Sequence, residues 1–329
     1  MSFVDRHWYR LSWLSVLLLP AAALFAAVSA LRRALYRAGL LPRVRLPVPV
    51  VVVGNIAAGG TGKTPLVLWL CDYLAAQGRN PGIVSRGYGG TGRVMQASAS
   101  SAADTGDEPA LLAQRGRCPV WVGRDRAAAA RALLAAHPGC DVVVCDDGLQ
   151  HYGLQRDVEI AVVDGLRGNG NGLPLPAGPL RESASRLREV DAVVVTGDGV
   201  ALPARARAFA MSLEGAAFRN LLDPQRRRQA GEFRGERVHA VAGIGNPARF
   251  FGQLRALGVD AVEHSFPDHH AFAPGELDFP GADAIVMTEK DAIKCRHFAR
   301  GNHWMLPVSA RVDAALGRLV LEKLGAHGP

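Results

Sequence analysis

Residues Val50 to Pro65, VVVVGNIAAGGTGKTP, decide the fold. Four valines end in Gly54, a glycine-rich turn follows, and Gly62-Lys63-Thr64 opens a stretch with Leu66, Leu68, Leu70 and Leu74 at helical spacing. Strand, glycine loop and helix in this order form a concavity of backbone N–H groups, to which the first helical turn adds unpaired donors, so a polyphosphate fits there. The cradle is expected from Gly59, Gly60, Thr61, Gly62, Lys63 and Thr64, with Lys63 reaching the β and γ phosphates and Thr64 offering its hydroxyl to Mg²⁺. The strict G-x-x-x-x-G-K-[ST] pattern begins with glycine where this chain has Ala57, and Gly59 and Gly60 are expected to supply the lost backbone freedom. The competing reading, a glycine-rich turn with a chance Gly-Lys-Thr, lacks a reason for the strand before it and the helix after.

Working outward, 329 residues are enough for two domains, and 49% hydrophobic with 21% charged residues describes a globular chain. The formal charge of +8 is unevenly placed. The first 45 residues hold Arg6, Arg10, Arg32, Arg33, Arg37, Arg43 and Arg45 against the single acid Asp5. That concentration suits an anionic membrane surface rather than a nucleic-acid groove, so no nucleic-acid partner is expected. Cys71, Cys118, Cys140, Cys145 and Cys295 form no CxxC pair, as expected of reduced cytosolic thiols.

Between the basic flanks, Leu11 to Leu31 carries no charge over 21 residues, enough to cross a bilayer core of about 30 Å. A cleaved signal peptide would export a nucleotide-binding loop away from ATP. A span with Arg32, Arg33 and Arg37 on the cytoplasmic side, an interfacial helix with both flanks on one anionic surface, and a buried core helix are the remaining readings. Membrane association through this helix is the expectation, with span and interfacial insertion both open.

Beyond the loop, short apolar strands (82–85, 119–122, 142–145, 158–163, 192–196) alternate with helical stretches (65–77, 108–115, 124–137, 183–189). This pattern predicts a doubly wound, largely parallel α/β sheet whose ligands gather at the carboxyl ends of the strands. Two acid pairs fall at suitable places. Asp146 and Asp147 end the run Val142-Val143-Val144-Cys145, as does a Walker-type carboxylate that holds Mg²⁺; the plain alternative is two solvated acids in a turn. Asp107 and Glu108 open a helix after Gly106, where acids are commonly caps. The glycine-, asparagine- and proline-rich run from Asp164 to Glu182 reads as a long functional loop.

The strings GNIAAGGTGKTP, GDEP, DDGLQHY, RDVEI, GNG with LPAGPLRE, GIGNPARFF, FPDHHAF and MTEKDAIKC together resemble the tetraacyldisaccharide 4′-kinase family of lipid A biosynthesis, over about residues 47 to 296. The resemblance implies transfer of the γ-phosphoryl of ATP to the 4′-hydroxyl of a tetraacyldisaccharide 1-phosphate at the cytoplasmic face of the inner membrane. It implies a P-loop NTPase-type domain (41–205) preceded by the membrane-associated helix (1–40), then a two-stranded hinge (206–223) and a smaller C-terminal α/β domain (224–329). It makes Asp107 the general base, assisted by His269 or its neighbour His270. It places Thr64, Asp146 or Asp147, Gln150 and Glu182 around Mg²⁺, with Glu108 a weaker member, and gives Arg181 to charge on the moving phosphoryl. Thr288 to Asp291 is expected at the adenine or ribose end of the ATP site.

Two other classes compete. A membrane-associated P-loop ATPase of the partition or cell-division type carries a lysine just before the paired glycines, where this chain has Ala58. A nucleotide-sensing module would bind ATP without turnover.

Overall fold

A computed structural model describes residues 7–325 apart from 99, 198, 200, 201, 205 and 216. Arg6 of the basic leader and Ala216 of the expected hinge thus lie outside the described residues.

The valine run forms β1 (Val50–Gly54), buried throughout. Helix α3 (Lys63–Ala76) follows the glycine loop and buries Leu66, Val67, Leu70 and Leu74; α1 (Trp13–Leu17) and α2 (Leu19–Arg37) precede β1. Strands β2 (Pro81–Ser85), β3 (Met95–Gln96), β4 (Val120–Val122), β5 (Val142–Asp146), β6 (Val158–Asp164), β7 (Ala192–Thr196), β8 (Ala208–Glu214) and β15 (Ser309–Val312) join β1 in the order β15-β8-β7-β6-β1-β5-β2-β4-β3. All neighbouring pairs are parallel except the edge pairs β15–β8 and β3–β4. Strands buried on both faces read as continuous valine and isoleucine runs, which is why the sequence located most of them. Helices α4 (Asp107–Arg115) and α5 (Arg126–Ala136) pack beside β4 and β2. Because β5 and β6 flank β1 while the chain runs from β1 to β2, the order reverses beside the glycine loop, the usual place for a ligand crevice in such sheets.

A second sheet contains β9 (Ala217–Asn220), β10 (Arg227–Gln229), β11 (Val238–Ala242), β12 (Ala261–Ser265), β13 (Ala284–Thr288) and β14 (His303–Leu306) in the order β10-β9-β14-β13-β11-β12. Helix α6 (Pro247–Ala256) packs on β11 and β12, and α7 (Glu289–Cys295) on β13 and β14. Its core holds Phe218, Phe233, Phe250, Phe251 and Trp304. The chain passes outward between sheets from β8 to β9 and back from β14 to β15. Residues 224–329 therefore do not all stay with the smaller sheet. β15 pairs with β8, and α8 (Ala314–Gly325) buries Leu316, Leu319, Val320 and Leu324 in the core shared with α3 and the large sheet.

At the N-terminus the uncharged stretch forms two helices, α1 (Trp13–Leu17) and α2 (Leu19–Arg37), the second beginning with Pro20 in its first turn. A proline is tolerated there because the first-turn N–H groups have no intrahelical acceptor. Helix α2 is long and apolar enough to cross a membrane by length and composition. Among its residues only Ala22 is buried, while Leu24, Val28 and Leu31 are exposed, so the core-helix reading is wrong. The stretch 183–189 forms a short 3₁₀ helix, Ala184–Arg188, instead of an α-helix.

Candidate active site

The glycine loop is held from within and from both sheets. Asn55 donates its amide to the carbonyls of Ala57 (2.6 Å) and Gly59 (3.3 Å), and Thr196 at the end of β7 donates its hydroxyl to the Thr61 carbonyl at 2.9 Å. Gly59 and Gly62 have φ of +107° and +94°, a region that favours glycine. Among the described non-glycine residues only Asp147 and His269 have positive φ, so Ala57 departs from the motif without strain. Opposite, Gly245 approaches so closely that a Cβ on it would lie 2.6 Å from the Gly60 nitrogen. The resulting cleft, partly open to solvent, runs from Gly60–Thr64 past Glu108 and Arg115 to Ile244, Phe250, Thr288, Lys290 and Leu306.

At the end of β5 the two acids take different partners. Asp147 (φ +47°) lies 3.4 Å from Lys63 Nζ and 3.2 Å from Arg181 Nη1. Burial opposes its ionisation, but Lys63 and Arg181 together outweigh it and hold the carboxyl well below the usual range. Asp146 is fully buried, accepts a hydrogen bond from Ser85 Oγ at 3.2 Å on one oxygen, and has no partner on Oδ1. Burial, then the charges of Glu108 and Asp147, push it up to about 7. Gln150 donates its amide to the Asn55 carbonyl at 2.9 Å, and Glu182 lies 3.3 Å from the buried Arg186. Among the described residues no three His, Cys, Asp or Glu side chains converge on one point. The buried, unpartnered Asp146 oxygen, close enough to Lys63 to feel its charge, nevertheless suits a hard cation, which takes oxygen ligands and keeps several waters and phosphate oxygens; Thr64 follows Lys63 at the helix start.

Next to Glu108 of the cleft wall, Asp107 begins α4, and His269 comes from the loop after β12. His269 Nδ1 lies 3.4 Å from Asp107 Oδ2, and His269 has φ +60°. His270 turns away to Glu276, 2.9 Å from Oε2, so geometry brings only the first histidine to Asp107. Non-glycine residues held at positive φ cluster where function requires a particular aim. Tyr88 packs its ring 5.0 Å from that of His269.

Two lysines of the KDAIK run were missed as partners of these acids. Lys290 Nζ lies 2.8 Å from Glu108 Oε1, and Lys294 Nζ lies 3.7 Å from Asp107 Oδ2 and 3.0 Å from Asp291 Oδ1. Lys290 draws Glu108 down to about 2, which leaves Glu108 an ion-pair partner in this arrangement. Their four-residue spacing on a helix was the available signal. In the Thr288–Asp291 run, Thr288, Glu289 and Lys290 line the cleft, whereas Asp291 is buried and accepts from the Thr288 hydroxyl and the Gly243 N–H.

A phosphate-binding loop at the reversal of a doubly wound sheet, facing a carboxylate and histidine from different sheets, defines a P-loop phosphotransferase. The family model described as LpxK, tetraacyldisaccharide-1-P 4′-kinase, matches residues 14–325, and the chain belongs to that family. It is 55% identical to the tetraacyldisaccharide 4′-kinase of Azoarcus sp. (strain BH72) over 100% of this chain and 97% of that one, and 54% identical to that of Aromatoleum aromaticum over 98% and 96%. It also superposes on the crystal structure titled an "apo" form of LpxK from Aquifex aeolicus in complex with ATP. There the TM-score is 0.80 and the identity 28%, with 94% of this chain and 99% of that one covered. The resemblance read from the motifs is thereby borne out, and the chain is an ATP-dependent kinase of lipid A biosynthesis. Nothing in these comparisons favours a partition-type ATPase.

Proposed function

We propose that Asp107 is the general base of this 4′-kinase and that His269 orients it. A sugar hydroxyl is a poor nucleophile, so as its oxygen bonds to the γ-phosphorus and the bond to the β-phosphate oxygen breaks, its proton passes to Asp107. Lys63 and Arg181, which hold Asp147, are the cations that neutralise charge spreading over the transferred group, and Gly59 to Thr64 cradle the phosphates. Thr64 and Asp146 would hold Mg²⁺, with Asp147, Gln150 and Glu182 around it, and the bound ion would supply charge neutralisation between the phosphates. The observation that carries this reading is the 3.4 Å approach of His269 to Asp107, the residue that precedes Glu108 in the wall of the cleft shared with the glycine loop.

Transfer of labelled phosphate from ATP to a tetraacyldisaccharide 1-phosphate tests it. Asp107→Ala is expected to lower kcat roughly 10²-fold or more with ATP affinity little changed, whereas a loss confined to KM would make Asp107 a binding residue. The protein is further read as resting on the cytoplasmic face of the inner membrane through α2, where its substrate's acyl chains reside. The exposed Leu24, Val28 and Leu31 support this.

A further inference from the structure

The mechanism leaves unused a second cavity between α2 and the large domain, lined by Arg33, Arg37, Arg43, Arg156 and Arg186. Three carboxylates share its wall, and each is already engaged. Asp157 accepts from the Val50 N–H at 2.8 Å, Glu159 pairs with Arg156 and Arg186, and Asp191 accepts from the Glu159 N–H and pairs with Lys323. At its edge a single half-exposed carboxylate, Glu189, serves Arg33, Arg37 and Arg186 through one oxygen. Arg43 is exposed and has no carboxylate partner among the described residues. A basin where guanidinium groups outnumber carboxylates, with one surface acid shared among three, has the chemistry of an oxyanion site.

Its position separates it from the catalytic cleft. Glu159 is five positions before Asp164 on β6, so at about 3.3 Å per residue the basin lies roughly 17 Å from the end of the strand beside the glycine loop. It adjoins the membrane-facing element instead. Arg33 and Arg37 are on α2, and Leu40, 71% exposed, stands between that helix and Arg43. We propose that this basin binds the phosphate headgroup of an acidic bilayer phospholipid, fixing how the kinase sits on the membrane. Basic pockets flanking a membrane helix on its cytoplasmic side recognise such headgroups. Through Arg186, which also pairs with Glu182 next to Arg181, headgroup binding contacts the catalytic loop.

The inference rests on the membrane reading above, and the test separates the two. Full-length protein is titrated with neutral phosphatidylcholine vesicles, with vesicles containing phosphatidylglycerol, and with a water-soluble short-chain phosphatidylglycerol. Arg37→Gln with Arg43→Gln is compared with Arg10→Gln with Arg45→Gln, which removes equal charge from the same segment outside the basin. At about 1 kcal/mol per arginine near an anionic surface, charge count alone lowers affinity for acidic vesicles about thirtyfold in either pair. The basin requires a larger loss for the 37/43 pair, saturable binding of the short-chain lipid lost only in that pair, and one phospholipid per chain by native mass spectrometry. Equal losses in the two pairs, or no short-chain binding by the unsubstituted protein, overturn it. Binding to neutral vesicles reports on the helix alone, so its failure sinks the membrane reading independently. Transfer to detergent-dispersed acceptor should be unchanged in the 37/43 pair, which excludes misfolding as the cause.

Discussion

Asp146 and Asp147 are adjacent in sequence, yet one is held protonated to about 7 and the other is ionised by two cations. The difference is local: β5 carries Asp146 into the sheet interior, and the positive φ of Asp147 swings the next side chain toward Lys63 and Arg181. Which acid did which could not be read from the sequence, because two consecutive carboxylates look alike until the backbone turn between them is known. The raised pKa has a signed consequence. Folded Asp146 keeps its proton from its ordinary value of 3.8 up to about 7 while the unfolded chain has lost it, so this group's contribution to apoprotein stability falls as pH rises through that window. Glu108, drawn down to about 2, acts in the opposite sense, stabilising above its ordinary value of 4.5 and losing that contribution as pH falls toward 2. A cation bound at Asp146 must displace the proton. Calorimetric titration of Mg²⁺ with ATP in buffers of different ionisation enthalpy should therefore show, below pH 7, more proton release than Mg²⁺ binding to free ATP gives, with affinity weakening as pH is lowered. Asp146→Asn should bind more weakly and lose that additional proton release.

At the scale of elements, the strands 142–146, 158–164 and 192–196 were legible within a residue because burial on both faces demands unbroken apolar runs. The strands joining the sheets were not. β8 alternates buried and exposed positions weakly, and the pairing of β15 with it across about a hundred residues has no signature in local spacing. The placement of Asp107 depends on a similarly long-range feature. Gly106, the residue before α4, has φ +89°, and a Cβ on it would lie 2.1 Å from the Tyr88 carbonyl oxygen. Glycine is thus required both for the dihedral and for the approach of the 87–92 loop. Gly106→Ala should cost about 2 kcal/mol or more in urea unfolding and lower kcat by displacing Asp107, while ATP binding, held mainly by the glycine loop, changes less. A variant with ordinary stability and kcat would show that the 87–92 loop does not position the base.

For the whole molecule, the proposed function rests on two surfaces: the one that the membrane reading turns toward the bilayer and the one between sheets. Removing residues 1–31 takes away α1 and most of the apolar stripe of α2, so the truncated protein should move from the membrane to the soluble fraction. Unchanged membrane recovery would assign anchoring to the domain surface. Between the sheets, polar contacts cluster around the cleft: Lys290 to Glu108, Arg115 to Glu289 at 2.7 Å, Arg167 to the Gly245 carbonyl at 2.6 Å, and Asn246 to Asp164 at 2.9 Å. Because Asp107 and His269 come from opposite sides, these contacts would also govern the alignment of the proposed base. Lys290 and Glu108 are each about a quarter exposed, so their coupling should be about 1–2 kcal/mol, less than that of a fully buried pair. In Lys290→Met, Glu108 remains in the cleft near Asp146 and Asp147 without its cation, so the single variant should be less stable than the double variant with Glu108→Gln. Both should show a wider distribution of distances between fluorophores on the two sheets and a raised KM for ATP. If the double-mutant cycle gives no coupling and the distances are unchanged, the ion pair does not hold the sheets together and the alignment must come from the contacts of Asp164 and Gly245.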